Sequence, residues 1–112
     1  MAVEAKPLSK EEKKKAELDR VKERSKTIDF NVLGTADASE KDDLKAIKGV
    51  GPFIEEKLNA LGIYTFSQVS KMNSDLEEQV NQAIEFFPGR VKRDEWANQA
   101  KVLLDETAKG DA

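Results

Sequence analysis

The sequence has no cysteine and no histidine. Without cysteine there is no disulfide, no thiolate metal site and no thiol nucleophile. Without histidine the commonest general base and metal ligand near neutral pH is missing too. A cysteine-free chain fits a reducing compartment, and no apolar run approaches the ~18 residues that a membrane span needs. The N-terminal stretch is densely charged and carries no apolar signal core. The expectation is a soluble, cytoplasmic protein with no membrane contact. Acidic residues are plentiful but scattered. Asp42-Asp43, Glu55-Glu56 and Glu77-Glu78 are the close pairs, and adjacent helical residues point about 100° apart, so the members of a pair do not share a face. A two-metal nuclease converges several carboxylates on one cleft, and no such constellation is legible here. The sequence predicts no enzyme, no cofactor and no resident metal.

What is present is charge and one short apolar signature. The 112 residues hold 19 Lys and Arg against 22 Asp and Glu, a formal charge of -3. That length suits one small domain. The charge is uneven: residues 1–27 carry nine basic and six acidic residues, net +3, and the remainder is net -6. A dedicated nucleic-acid binder shows a basic domain, whereas here only the N-terminal stretch is basic. This counts against strong non-specific DNA binding, which is mostly phosphate neutralisation.

Ser9 to Lys26 reads SKEEKKKAELDRVKERSK. Ser9 with Glu12 fits a capping box, and Glu, Lys, Arg and Ala favour helix. Its apolar positions are Ala16, Leu18 and Val21, too few for a core-facing stripe. Residues 1–27 are therefore expected to form a flexible charged arm, a solvated helix at most, dispensable for folding. Ile28, Phe30 and Val32 alternate with Asp29 and Asn31, a strand pattern with no second strand to pair with. An extended segment laying apolar side chains on the domain is expected, with residues 28–40 as linker.

The domain proper, residues 41–109, is organised around Asp43 to Ile63, DLKAIKGVGPFIEEKLNALGI. Leu44 and Ile47 lie three apart, Gly49-Val50-Gly51 forms a tight turn, and Pro52 suits the first position of a second helix that Gly62 stops. Two glycines flanking one apolar residue let the backbone adopt φ > 0 and approach a partner closely. The free N–H groups at such a helix start are disposed as those that hold phosphate. Thr65 with Gln68 and Ser74 with Glu77 make further capping boxes, and Phe87-Pro88-Gly89-Arg90 fits a type II turn. Apolar spacing then predicts an all-α, five-helix domain with helices at about 41–48, 52–61, 66–72, 75–86 and 93–108. Trp96, with Ala100, Leu103 and Leu104, is placed in the core.

The Leu44–Gly51 stretch resembles the helix-hairpin-helix motif of DNA-repair and replication proteins, whose core reads roughly L-x-x-[IL]-x-G-[VI]-G. A wider resemblance runs from Asp42 to about Leu104. DDLKAIKGVG, LGIYTF, FPGRVKRDEW and NQAK are similar to the motifs of small, uncharacterised bacterial helix-hairpin-helix domains. Relatives of those domains look to be appended to a respiratory-complex subunit and to a ribosomal protein. The resemblance implies weak, sequence-independent DNA or RNA binding through the backbone amides of the hairpin. Lys48, Gly49, Val50 and Gly51 are the phosphate-binding candidates, and Arg90, Lys92 and Arg93 form a basic cluster to support them. It also permits a monovalent cation on the turn's carbonyls. One departure stands out: where DNA-binding members often have Lys or Arg after the second glycine and proline, this chain has Phe53. The alternative is therefore a protein–protein adaptor using Phe53 and the acidic second helix. A monomer is expected.

Overall fold

Ser9 opens the first helix as its spacing to Glu12 predicts. In the computed structural model, which describes residues 9–110 (side chains to 106), Ser9 Oγ accepts the Glu12 N–H and the Glu12 carboxylate accepts the Ser9 N–H. Seven α-helices follow in order: α1 (Lys10–Glu23), α2 (Phe30–Leu33), α3 (Pro52–Leu61), α4 (Phe66–Ser70), α5 (Ser74–Ala83), α6 (Arg90–Arg93) and α7 (Trp96–Gly110). Single 3-10 turns occupy Arg24–Thr27, Ala38–Glu40 and Leu44–Ala46. The fold is all-α, and the described residues include no strand. α1 lies on α3, α4 on α7 and α5 on α6. The core between them holds Leu44, Ile47, Leu58, Leu61, Ile63, Val69, Val80, Ile84, Val91 and Trp96.

From residue 41 onward there are five α-helices, the number that periodicity gives, but two differ from expectation. The predicted helix at 41–48 is one 3-10 turn. Asp43 accepts the Lys45 N–H, so the turn starts late, and Gly49 follows too soon for a second turn. The predicted helix at 93–108 starts only at Trp96, after Glu95 at φ 52°, and Arg90–Arg93 ahead of it forms a short helix that the apolar spacing did not mark. Caps are otherwise close to expectation. The Thr65–Gln68 capping box is present, and the Phe87–Arg90 turn closes through Arg90 N–H to the Phe87 carbonyl, with Gly89 at φ 76° and ψ 3° as type II requires. Asn73, one residue before the predicted Ser74, caps α5 by accepting the Leu76 N–H.

The solvated arm is corrected. Val21 is 0% exposed and belongs to the core. Polar side chains fasten the rest of α1. Lys57 of α3, itself buried, pairs with Glu17 at 2.6 Å and donates to the Ile84 carbonyl at 3.0 Å. Arg20 grips Glu85 with two hydrogen bonds of 2.8 and 3.0 Å, and Arg24 donates to Glu85 at 2.8 Å and to the Ala83 carbonyl at 3.1 Å. Lys57 and Arg24 thus meet the Ile84 and Ala83 carbonyls at the C-terminus of α5, where positive charge is favoured. One apolar anchor plus charge pairs replaces the apolar stripe, which is why hydrophobic patterning did not reveal the docking. Residues 1–8 lie outside the described residues.

Glu85 sits in the left-handed region, φ 54°, and Arg20 first, then Arg24, hold its carboxyl at about 2 against a burial effect that pushes it up. Its ordinary value is 4.5. Since the folded pKa is the lower one, Glu85 stabilises the fold above pH ~4.5 and loses that contribution as pH falls toward 2. Glu85→Gln is therefore expected to be less stable than wild type at pH 7, with the difference shrinking below pH ~4.5 and closing only as pH falls to about 2. Chemical unfolding at a series of pH values checks this, and a constant difference between the two proteins would contradict it.

The segment at 28–33 is also not extended. It closes into α2 after Asp29 accepts the Asn31 N–H. Ile28 and Leu33 are buried, Phe30 packs against the core and Val32 is exposed, so alternation ends at Val32 and the inward pair within α2, Phe30 and Leu33, is three apart. Buried Gln68 staples this linker to the domain: its Nε2 donates to the Gly34 and Gly62 carbonyls, and its Oε1 accepts the Tyr64 and Thr65 N–H groups.

Candidate nucleic-acid interface

The two hairpin glycines have different jobs. Gly49 adopts φ 101°, and a Cβ there would meet Asp94 Oδ2 at 2.7 Å and Trp96 Nε1 at 3.0 Å. It faces the protein, and its missing side chain lets the hairpin seat against the break between α6 and α7. Gly51 has φ -93° and ψ -179°, extended backbone open to any residue, and a Cβ there would meet nothing within 4 Å. Of the two expected left-handed glycines only Gly49 is one; Gly51 faces open space. Val50 is buried between them, with its N–H on the Ile47 carbonyl.

α3 starts at Pro52 with no side-chain cap. Pro52 has no N–H, and Glu55 N–H is bonded to the Gly51 carbonyl. The N–H groups of Gly51, Phe53 and Ile54 have no partner among the described residues. Three amides at the positive end of a ten-residue helix, beside an unobstructed glycine, form an anion-accepting surface.

One residue that holds this turn was not singled out from sequence. Gln99, on α7, accepts the Lys48 N–H at 2.8 Å and donates to the Lys48 carbonyl at 3.2 Å and the Asp94 carbonyl at 2.6 Å. It thereby holds both backbone polar groups of Lys48, which belong to the two successive peptide units before Gly49. The only sequence signal was its place in the NQAK motif, three residues after Trp96 and so one helical turn along α7.

The candidate cations go to different neighbours. Lys48 is exposed, and nothing pairs with its ammonium among the described residues. Arg93 reaches Asp94 at 3.5 Å, which places it near Gly49 but with a carboxylate between. Lys92 donates to Ser74 Oγ on α5 at 3.0 Å, and the Arg90 guanidinium lies 5.8 Å from the centre of the Phe87 ring. The acids near the hairpin are engaged in structure. Glu55 accepts the Leu44 N–H at 2.9 Å, and Asp42 accepts the Phe66 N–H at 2.9 Å. Among the described residues no three acidic side chains gather as a metal would require. Phe53 is half-buried, with the ammoniums of Lys14 and Lys57 5.3 and 4.7 Å from its ring centre. Lys14 of α1 thus stands over part of the ring that the adaptor alternative relies on. No helix of the described residues is long and apolar enough to cross a membrane.

Comparison with known proteins fits this geometry. The model of the RS2/RL21/YNQ2 HHH domain matches residues 44–104, from the first turn of the hairpin to α7. Large ribosomal subunit protein bL21 of Hyphomonas neptunium is 42% identical over 73 residues, 62% of this chain and 33% of that protein. Small ribosomal subunit protein uS2 of Azorhizobium caulinodans is 47% identical over 65 residues, 58% of this chain and 19% of that protein. An uncharacterized 22.9 kDa protein in the nqo2 3' region of Paracoccus denitrificans is 39% identical over 62 residues, 55% and 29% respectively. The chain thus spans a third or less of the curated relatives it matches. No solved structure matches. The expected wider family of small bacterial helix-hairpin-helix domains, with a ribosomal protein among its relatives, is supported; the DNA-repair likeness stays confined to the hairpin motif, and the matched relatives include ribosomal proteins instead. With the match covering more than half of its length, the chain belongs to the RS2/RL21/YNQ2 HHH domain family.

Proposed function

We propose that this domain is a non-enzymatic nucleic-acid-binding module of the cytoplasm whose target is RNA. The observation that carries the reading is the set of unpartnered amides of Gly51, Phe53 and Ile54 behind an open Gly51. They take a backbone phosphate, Lys48 supplies a free charge beside it, and Arg93 contributes once drawn from Asp94. The ribosomal relatives point to RNA over DNA. No cofactor, metal or membrane enters the reading.

Few charges are available, so binding is expected to be weak, with a shallow salt dependence of about two to four phosphates at roughly -0.9 each on duplex and -0.7 on single strands. Fluorescence anisotropy with RNA and DNA oligonucleotides at several salt concentrations measures this. Gly51→Ala separates function from folding. Its backbone is unstrained and its Cβ unobstructed, so stability stays within ~0.5 kcal/mol of wild type, as for ordinary surface changes, while the added methyl hinders phosphate approach and weakens binding. Lys48→Ala lowers the salt slope by about one phosphate. A folded wild-type domain that binds neither RNA nor DNA at ~50 mM salt would overturn the reading.

A further inference from the structure

We infer that Phe87 is a stacking platform for an unpaired RNA base, with Arg90 beside it serving the adjoining phosphate; this rests on the reading that the domain binds RNA. Phe87 is 68% exposed, the most exposed large hydrophobic side chain among the described residues. The other two, Val32 and Val102, sit on α2 and α7. A single ring is less than the contiguous apolar patch that a protein partner covers, but a flat π face is what a nucleobase needs.

The ring stands on backbone that is fixed before any ligand arrives. Buried Asn81 donates to the Phe86 and Phe87 carbonyls at 3.3 and 2.9 Å and accepts the Val91 N–H at 2.9 Å. It spans the whole turn from inside the core. Arg90 N–H returns to the Phe87 carbonyl, Pro88 restricts the next φ, and the Phe86 ring flanks Phe87 at 6.1 Å, tilted 41°. A side chain on such a support loses little freedom on binding.

The surrounding chemistry suits a polyanion that carries bases. Of the three cations in residues 90–93, RVKR, Arg90 is the one at the ring, its guanidinium 5.8 Å from the Phe87 ring centre, while Lys92 reaches Ser74 and Arg93 reaches Asp94. A Cβ on Gly89 would meet nothing within 4 Å, so the tip of the turn is open to a backbone passing over it. Bases inside an A-form duplex are stacked on one another and cannot reach a protein ring, whereas those of loops, bulges and ends can. The target is therefore unpaired RNA.

The test measures wild type, Phe87→Ala and Phe87→Tyr by anisotropy at ~50 mM salt. The probes are a single-stranded RNA 12-mer, the same 12-mer with abasic positions, and a blunt RNA duplex. Base stacking on an aromatic is worth about five- to hundredfold in affinity. Phe87→Ala is thus expected to lose about tenfold on the single strand and nothing on the duplex or abasic strand, and Phe87→Tyr to keep wild-type affinity. Phe87 is exposed, so an unchanged melting temperature is expected in both variants. Equal single-strand affinity for wild type and Phe87→Ala, with Gly51→Ala still weakening it, overturns the platform and leaves RNA binding intact. Unchanged RNA affinity, together with a wild type that self-associates in sedimentation and a Phe87→Ala variant that does not, makes the ring a protein contact and overturns the proposal. Absence of all RNA binding by the wild type overturns both readings.

Discussion

Trp96→Ala is expected to destabilise the domain by about 3–5 kcal/mol, the usual cost of truncating a large buried aromatic. Trp96 is 0% exposed and its ring lies 5.9 Å from that of Phe86. It also backs the hairpin, since its Nε1 would be 3.0 Å from a Cβ on Gly49. Small domains have only about 5–15 kcal/mol of stability in total, so the variant is expected to be partly unfolded at 37 °C. Urea unfolding followed by circular dichroism measures the loss. Trp96 Nε1 is buried without a hydrogen-bond partner, so Trp96→Phe removes an unsatisfied donor while leaving most of the ring. It should lose clearly less than the alanine variant. Near-wild-type stability for Trp96→Ala would place the residue outside the core.

Removal of residues 1–27 is expected to cost about 3 kcal/mol. Burial of a side chain such as Val21 contributes about 1.5–3 kcal/mol, and the Arg20–Glu85–Arg24 cluster, exposed enough for solvent to screen it, adds less. Lys57 loses Glu17 but regains water, so its pair adds little to the total. For a chain of this size the loss lowers the melting temperature by more than about 10 °C. Val21→Ala in the full chain is the milder version and isolates the apolar anchor. An unchanged melting temperature on truncation would mean that α1 is a solvated arm, as its composition by itself implies.

These two residues mark where sequence reasoning succeeds and where it stops. Trp96, Ala100, Leu103 and Leu104 recur at helical spacing, a local property that survives without any partner and places Trp96 in the core. One valine among lysines and glutamates makes no stripe, so nothing local marks Val21 as buried. Its burial depends on a cavity whose walls come from elsewhere in the chain. Gly49 and Gly51 show the same division. Their spacing announces a hairpin, but that Gly49 lies against Asp94 and Trp96 while Gly51 faces open space follows from contacts more than 40 positions apart in sequence. The cations behave likewise. Arg90, Lys92 and Arg93 are close in sequence, yet Phe87, Ser74 and Asp94 take them in three directions.

By itself the sequence determined the helical class, the capping boxes at Ser9 and Thr65, the span of α3, the turn at Pro88-Gly89 and the absence of histidine and cysteine chemistry. Each of these rests on side-chain to backbone reach within about four residues, or on composition. Tertiary structure alone decided that α1 docks on α3, that Gln99 holds both backbone polar groups of Lys48, that Glu85 is pinned at positive φ between two arginines, and that Phe53 is half-buried while Phe87 is largely exposed. The physical reason is that burial and charge pairing are properties of segments distant along the chain brought together, and no local window holds both partners.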